Sequence, residues 1–453
     1  MKLMLSEIAN CVGGVLFGED QVVTGVSIDT RTIEPGSLYC AIKGERFDGN
    51  DFAGNAEQAG AAAAILSRKV EVAMPVVVVH DTRLALAELA GFWRNRQSAR
   101  VVGITGSNGK TTVKEMTAAI LGGQGPVLYT QGNLNNDIGV PLTLMRMSAE
   151  HRYAVIEMGA NHAGEIAYTS RYAKPHVTII CNVGPAHLEG FGSVDGIARA
   201  KGEIIGSLGS DGTAVLNHDD TYFGYWLELA GTRKVLSFGL KPGADIRAEN
   251  IITRIENGEF ATAFEWVHGS VRYPMRLKLA GRHNVLNALA AGAAATALGF
   301  EPMTIKQGLE KVHPVTGRLQ PLVGRQGNIV IDDTYNANSA SLKAGLDVLI
   351  ECGGEPWVVL GAFGELGPES AEIHREMGED MKTIGVKRLF ATGSDARNTV
   401  QSFGEGGIFY ETQDELTEAL KREMNGHETL LVKGSRTQRM ERVVGAIVEN
   451  YRK

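Results

Sequence analysis

The sequence predicts an α/β protein of three successive domains, and three observations carry that prediction. Short Val- and Ile-rich runs alternate with stretches of helical composition, the order that gives mainly parallel sheets covered by helices. Glycine is frequent, 56 of 453 residues, as a chain with many strand-to-helix turns requires. The pattern also changes character twice, dividing the chain into 1–82, 83–313 and 314–453, in keeping with a soft prior of ~150 residues per domain.

The first block is a small α/β unit. Leu5 to Val12 is expected to be a short helix, Val22 to Asp29 alternates like a strand, and Thr30 to Gly36 (TRTIEPG) reads as a turn. Ser37 to Ile42 is another short strand and Gly44 to Asn50 a polar glycine loop. Glu57 to Ala64 reads as a small-residue helix and Val76 to Val79 as a buried strand. Ser27, Thr30, Arg31 and Asp48 fall at strand ends and in loops. Such residues ordinarily shape turns, although Arg31 has the chemistry to pair with a ligand phosphate.

The middle block is organised around Val101 to Thr112, VVGITGSNGKTT. A helix, Leu84 to Gln97, feeds a buried strand at Val101 and Val102, and Val113 to Leu121 is again helical in composition. Strand, glycine loop and helix form a phosphate cradle. Gly106 and Gly109 let the backbone approach an anion closely, and the helix start offers free N–H groups with a partial positive charge. Lys110 is placed to reach the β- and γ-phosphates and the Thr111 hydroxyl to ligate Mg²⁺. Ser107, Asn108 and Thr112 complete the loop. Ile104 stands where the common phosphate-loop pattern has its first glycine, and Gly103 lies one residue earlier. A plain turn does not require Lys-Thr-Thr after its last glycine, so a nucleoside triphosphate is the expected ligand.

Gln131 to Pro141 (QGNLNNDIGVP) is either a solvated loop or an array of amide donors facing an anion. Strands at Ala154 to Met158 and Val177 to Val183 put Glu157 and His187 at or just beyond strand carboxyl ends, the edge where open parallel sheets bind ligands. A carboxylate and an imidazole there suit metal ligation or acid–base work. Ile197 to Leu208 is helical, and its Lys201 taken alone reads as an exposed lysine. Thr213 to Asn217 is a further strand, and Phe260 to Leu279 alternates like antiparallel strands at a sheet edge. Gly281 to Phe300 is an Ala-rich buried helix. Asn284 and Asn287 share a face of its first turn, where they either cap the helix or read a base edge.

The third block begins with Gly317-Arg318 and a strand at Ile329 to Asp332, whose end carries the polar loop DDTYNANS. Strands follow at Trp357 to Leu360, Arg388 to Thr392 and Thr429 to Val432, the last leading into Lys433-Gly434-Ser435-Arg436 and a terminal helix. This is a second open parallel sheet, without a phosphate loop. A nucleotide bound at the middle block would be closed over from here, a hinge arrangement.

Composition narrows the function class. A net charge of −7 does not suggest bulk nucleic-acid binding. Cys11, Cys40, Cys181 and Cys352 form no metal-type pairs, which suits a reduced, cytoplasmic protein. The start (MKLMLSEIAN) has no secretory core, and no apolar run is long enough to cross a bilayer.

On these residues the chain resembles the Mur ligases of cell-wall synthesis. GITGSNGKTT, NVGPAHLEGFG, AKGEI and GRHNVLNALAA are family-wide motifs, and SIDTR, KGERFDGN, DDTYNAN and the LG–ELG loop point to the branch that adds a D-alanyl-D-alanine dipeptide. The resemblance implies an N-terminal domain holding a UDP-sugar, a central ATPase domain, and a Rossmann-like C-terminal domain that closes on the site. It implies ATP-dependent joining of the dipeptide to UDP-N-acetylmuramoyl-tripeptide through an acyl phosphate, in a cytoplasmic enzyme expected to be a monomer. Two Mg²⁺ ions are implied, with Thr111 and Glu157 matching ligands of one, His187 a ligand of the other, and Lys201 the lysine that is carbamylated into a metal-ligating anion. Lys110, His187 and Lys201 match catalytic positions. Asn284 and Asn287 match adenine-side contacts, Arg318 a nucleotide contact and Asp333 a ribose contact. Ser27, Thr30, Arg31 and Asp48 fall in the UDP-sugar region. Tyr335, Asn338, Lys433, Ser435 and Arg436 fall near the dipeptide. Asn50 departs from the pattern, standing where a His is usual. From other classes, a phosphate-loop switch or motor would hydrolyse ATP without an amine acceptor, and a non-catalytic nucleotide module would not need the polar groups at the strand ends.

Overall fold

The computed structural model describes residues 1–184, 188–256 and 259–451. Among the described residues three large sheets, mixed but mostly parallel, succeed one another along the chain, beside one two-stranded antiparallel ribbon. The first has the order Val15–Phe17, Val76–Val78, Ala63–Leu66, Leu38–Cys40, Val26–Ser27, antiparallel only at its first pair. Val22–Val23 pairs instead with Leu3–Met4. The stretch expected as one strand over Val22 to Asp29 is therefore two short pieces in different sheets.

A second correction concerns Glu57 to Ala64. The helix is Ala53–Gln58, and Ala63–Leu66 is a buried parallel strand. Gly60, at φ +98°, turns the chain between them. Alanine has high helix propensity, but here it fills a strand buried on both faces, where its small size suits the packing and tertiary context decides.

In the central sheet the strand Arg100–Thr105 lies between Tyr153–Glu157 and Val177–Ile180, parallel to both. Val127–Tyr129 flanks on one side, and Thr213–Asn217 and Lys234–Gly239 extend the sheet on the other. Successive strands thus add to opposite sides of Arg100–Thr105. That is a topological switch point, and its crevice opens at the carboxyl ends. The sheet continues into an antiparallel meander, Ile246–Glu256, Glu259–His268 and Val271–Leu277. The first arm was not anticipated, because its charged residues alternate on the exposed face. Helix Lys110–Gly122 leaves the central strand and packs against the Ala-rich helix Arg282–Ala297.

The third sheet runs Gln320–Val323, Ile329–Asp333, Glu428–Lys433, Glu355–Gly361, Arg388–Thr392, Gly407–Tyr410, with only the first strand antiparallel. Helix Thr82–Asn95 joins the first and second sheets. Its Leu86 and Leu89 lie in one continuous core with Leu5 and Ile8 from the first block and Leu144 and Ile166 from the second.

Candidate active site

The loop between strand Arg100–Thr105 and helix Lys110–Gly122 lies at the switch point. Gly106 has φ +152° and Gly109 φ +82°. A Cβ on Gly109 would sit 2.4 Å from Asn287 Oδ1, so glycine is required there both for the left-handed backbone and for the closeness of that amide. The loop is tied to the exit of the next strand. Ser107 N donates to Asn182 O at 3.0 Å and Asn108 N to Asn182 Oδ1 at 2.9 Å. The Ser107 hydroxyl donates to Gly184 O and accepts from Gly184 N, each at 3.0 Å. Lys110 curls over the loop, its Nζ donating to Gly106 O at 2.7 Å and Ser107 O at 3.2 Å. Burial holds its pKa below the ordinary lysine value, opposed by the nearby Glu157 carboxylate.

Glu157 ends its strand and is 2 % exposed. Its Oε1 accepts from Asn135 Nδ2 at 2.8 Å, while its Oε2 is buried without a hydrogen-bond donor among the described residues. A carboxylate oxygen left so has the chemistry of a cation ligand. Of the asparagine-dense loop, Asn135 alone is seen to turn its amide to this carboxylate, whereas Asn136 Oδ1 accepts from Gly139 N at 2.8 Å within the loop. Mg²⁺ is usually held by one or two carboxylates together with substrate phosphates. A free carboxylate oxygen near enough to Lys110 of the phosphate loop to act on its charge fits that habit.

Lys201 is 3 % exposed, which corrects its bland reading as a surface lysine. Its Nζ is 5.6 Å from the centroid of the Phe191 ring. Burial, then repulsion by Lys110, lowers its pKa to about 7. A substantial neutral fraction at neutral pH is what an amine needs to attack CO₂. His187 lies outside the described residues.

Beside the loop is a cavity of about 370 Å³ lined by Asn108, Thr112, Asn284, Asn287, Arg318 and Asp333, among others. Asn284 Nδ2 donates to Ala280 O at 2.8 Å, and Asn287 Nδ2 donates to Asn284 Oδ1 at 3.1 Å. Neither accepts from the first-turn N–H groups, so helix capping does not explain them. Arg318 reaches across from the third block. Its Nη2 donates to Thr111 Oγ1 at 3.3 Å and its guanidinium lies 4.3 Å from the Tyr335 ring, on whose other contact Arg436 stands at 6.0 Å. Asn338 caps helix Ser339–Glu351, and its Nδ2 donates to Asn108 Oδ1 at 2.9 Å, a direct bond from the third block to the phosphate loop.

Other expected residues are engaged within the protein. Asp333 accepts from Leu319 N at 3.2 Å and from Lys433 Nζ at 2.5 Å. Asp333 and Lys433 face each other in register on neighbouring strands, and Lys433 is 1 % exposed. The Ser435 hydroxyl donates to Ala362 O at 2.9 Å. In the first block, Ser27 Oγ donates to Asp29 O at 3.0 Å, Thr30 opens a one-turn 3₁₀ helix, and Arg31 pairs with Asp29 at 2.6 Å. That guanidinium holds the Asp29 carboxyl down to about 2. Asp48 Oδ1 accepts from Asn50 N at 2.9 Å. Ser27 ends a strand, Thr30 and Arg31 lie in a 3₁₀ turn and Asp48 caps another, all in the first block. Sequence reasoning missed Asn135 as an individual residue, although its stretch was conspicuous, and missed His283 altogether. His283 lines the cavity, and burial lowers its pKa to about 4, with Asp333 and Lys433 both close enough to act on it.

Family models match all three blocks: the Mur ligase family catalytic domain over 22–94, the Mur ligase middle domain over 104–295, and the Mur ligase glutamate ligase domain over 317–436. The Escherichia coli UDP-N-acetylmuramoyl-tripeptide–D-alanyl-D-alanine ligase is 43% identical over 453 residues, covering 99% of both chains. Among solved structures, MurF from Acinetobacter baumannii superposes with a TM-score of 0.93 at 35% identity over 98% of each chain. MurF ligase from Thermotoga maritima, in complex with ADP, gives 0.84 at 29% identity over 93% of this chain and 96% of that one. With family models matching all three blocks and a relative 43% identical matched end to end, the chain belongs to the Mur ligase family.

Proposed function

We infer that this chain is the ATP-dependent ligase that joins D-alanyl-D-alanine to UDP-N-acetylmuramoyl-tripeptide, releasing ADP and phosphate in peptidoglycan precursor synthesis. The observation that carries this reading is the 43% identity to the E. coli ligase across 99% of both chains. The reaction follows from charge. A carboxylate is a poor acyl donor, and phosphorylation by ATP makes it an acyl phosphate that the dipeptide amine attacks. Lys110 neutralises the transferred phosphoryl group as it meets the carboxylate. Asn284, Asn287 and Arg318 orient the nucleotide, with Asp333 on the ribose side. Asn338 and Arg318 hold the third block against the loop, so that three substrates meet in alignment.

The finer assignments are part of the proposal. Thr111 and Glu157 would hold one Mg²⁺, and His187 with carbamylated Lys201 a second; these ions supply electrostatic stabilisation of the phosphoryl oxygens. The UDP-sugar lies on the first domain, 1–82, near Ser27, Thr30, Arg31 and Asp48. The ATPase domain is 83–313. The Rossmann-like domain is 314–453, with Tyr335, Ser435 and Arg436 toward the dipeptide and Lys433 behind them. The enzyme works as a cytoplasmic monomer. No helix of the described residues is long and apolar enough to cross a membrane.

The deciding experiment is phosphate release from ATP and Mg²⁺ with UDP-N-acetylmuramoyl-tripeptide, with and without D-alanyl-D-alanine. Release that needs both, with a product heavier by the dipeptide, supports the reading. Release with a single amino acid and a shorter precursor points to a sibling ligase, and release indifferent to any amine overturns ligation. For the carbamate, Lys201→Ala is expected to be inactive and partly restored by added short carboxylates; a fully active variant removes it.

A further inference from the structure

One turn beyond Lys110, on the same helix face, stands Lys114, which is 2 % exposed. Lysine is almost never so buried without a partner, and an ammonium leaves water at a cost that its contacts must offset. What it holds is therefore informative. Its Nζ donates to Thr130 O at 2.8 Å and lies 3.0 Å from Glu115 Oε1, with the Tyr129 ring 5.7 Å away.

Thr130 follows strand Val127–Tyr129 and opens the asparagine-dense loop. It is fully buried; its N–H donates to Val155 O at 3.1 Å, and its hydroxyl accepts the Glu157 N–H at 3.0 Å. Asn135 then bonds Glu157 Oε1 through its side chain, and its carbonyl accepts Gly159 N–H at 2.8 Å. The segment from Thr130 to Asn135 clasps Glu157 by backbone and by carboxylate. Lys114 anchors the start of that segment to the phosphate-loop helix.

We propose that Lys114 is a positioning residue, whose buried bond to Thr130 fixes the Glu157 carboxylate relative to the phosphate loop for a metal-bound nucleotide. This rests on the reading of Glu157 as a cation ligand. A charge-assisted bond from a helix lysine to a strand-end carbonyl is shorter and stronger than a neutral one. It sets the distance between two elements that must present, respectively, the phosphate cradle and the free carboxylate oxygen. A lysine that merely filled the core would leave that distance unimportant to metal.

The test is ADP binding by calorimetry, with saturating Mg²⁺ and with EDTA, on the full chain and on Lys114→Met. The wild type is expected to bind ADP more tightly with Mg²⁺. In Lys114→Met that gain should shrink about tenfold, while metal-free affinity stays within about twofold. Lys114→Gln, a milder change that shortens the side chain and removes its charge, weakens the same bond to the Thr130 carbonyl; it should shrink the gain in the same direction, and it decides the matter if Lys114→Met does not fold. A full Mg²⁺ gain in a folded variant overturns the proposal. So does an equal loss of metal-free and metal-dependent binding, which marks general loosening. A wild type indifferent to Mg²⁺ would instead overturn the cation reading of Glu157, and the role of Lys114 with it.

Discussion

Gly109→Ala tests the tightest contact in the site. The backbone there is at φ +82°, and the new Cβ would lie 2.4 Å from Asn287 Oδ1, far inside contact distance. The left-handed backbone costs a side chain ~1–2 kcal/mol, which should appear as lost stability. The collision must be relieved by moving Asn287, breaking its 3.1 Å bond to Asn284. That bond is worth ~0.5–1.5 kcal/mol, and displacing the amide from the cavity wall should weaken ADP binding about tenfold. Calorimetric ADP affinity and thermal unfolding separate the two terms. The decisive comparison is a double-mutant cycle with Asn287→Ala. With the amide already gone, Gly109→Ala should cost stability but little further affinity, giving a coupling energy of about 1 kcal/mol in binding. Effects on affinity that add to within ~0.3–0.5 kcal/mol would refute the claim that the glycine is there for Asn287.

Three further outcomes are expected. Lys110→Ala should lower ligation by at least ~100-fold with an unchanged thermal midpoint; a folded variant that ligates at close to the wild-type rate would remove Lys110 from the chemistry. Lys433→Met leaves the Asp333 carboxylate buried with only the Leu319 N–H, and should destabilise the third sheet by ~3–5 kcal/mol in a urea titration. Adding Asp333→Asn should recover much of that loss, and no recovery would mean the pair is not what holds these strands. His283 has a folded pKa of about 4, below its ordinary value of 6.5, so the unfolded chain takes up a proton first as pH falls. Stability should be full above pH 6.5 and decline toward pH 4, by at most ~3 kcal/mol. The ring's remaining contact with solvent favours the lower half of that range. A His283→Gln variant with the same pH slope would refute the assignment.

The sequence made some of this legible because the chemistry is local. The phosphate loop announces itself through residues that are covalent neighbours, and its place at a strand carboxyl end follows from the alternation of strand and helix. Glu157 was legible for the same reason, as the last residue of a strand. What stayed hidden depends on residues that meet only in the fold. Lys114 falls within the helical stretch Val113 to Leu121 with nothing to mark it until the strand end at Thr130 is brought against it. Lys433 reads as a loop cation until register sets it opposite Asp333. Ala63 and Ala64 read as the end of a helix because propensity, not burial, is what composition reports. Lys201 was bland in isolation and gained meaning only from the resemblance, with its burial supplying the physical reason.

The core that runs unbroken from Leu5 and Ile8 through Leu86 and Leu89 to Leu144 and Ile166 bears on how such ligases can be recombined. A chimera that exchanged residues 1–82 would cut through a packed interior, and every swap would need compensating substitutions along helix Thr82–Asn95. The third block shares far less with its neighbour: Phe260 and Ala280 enter its core, with Ile255 beside them. The third block is therefore the more readily exchanged part of the chain, whereas residues 1–82 are inherited together with the central block.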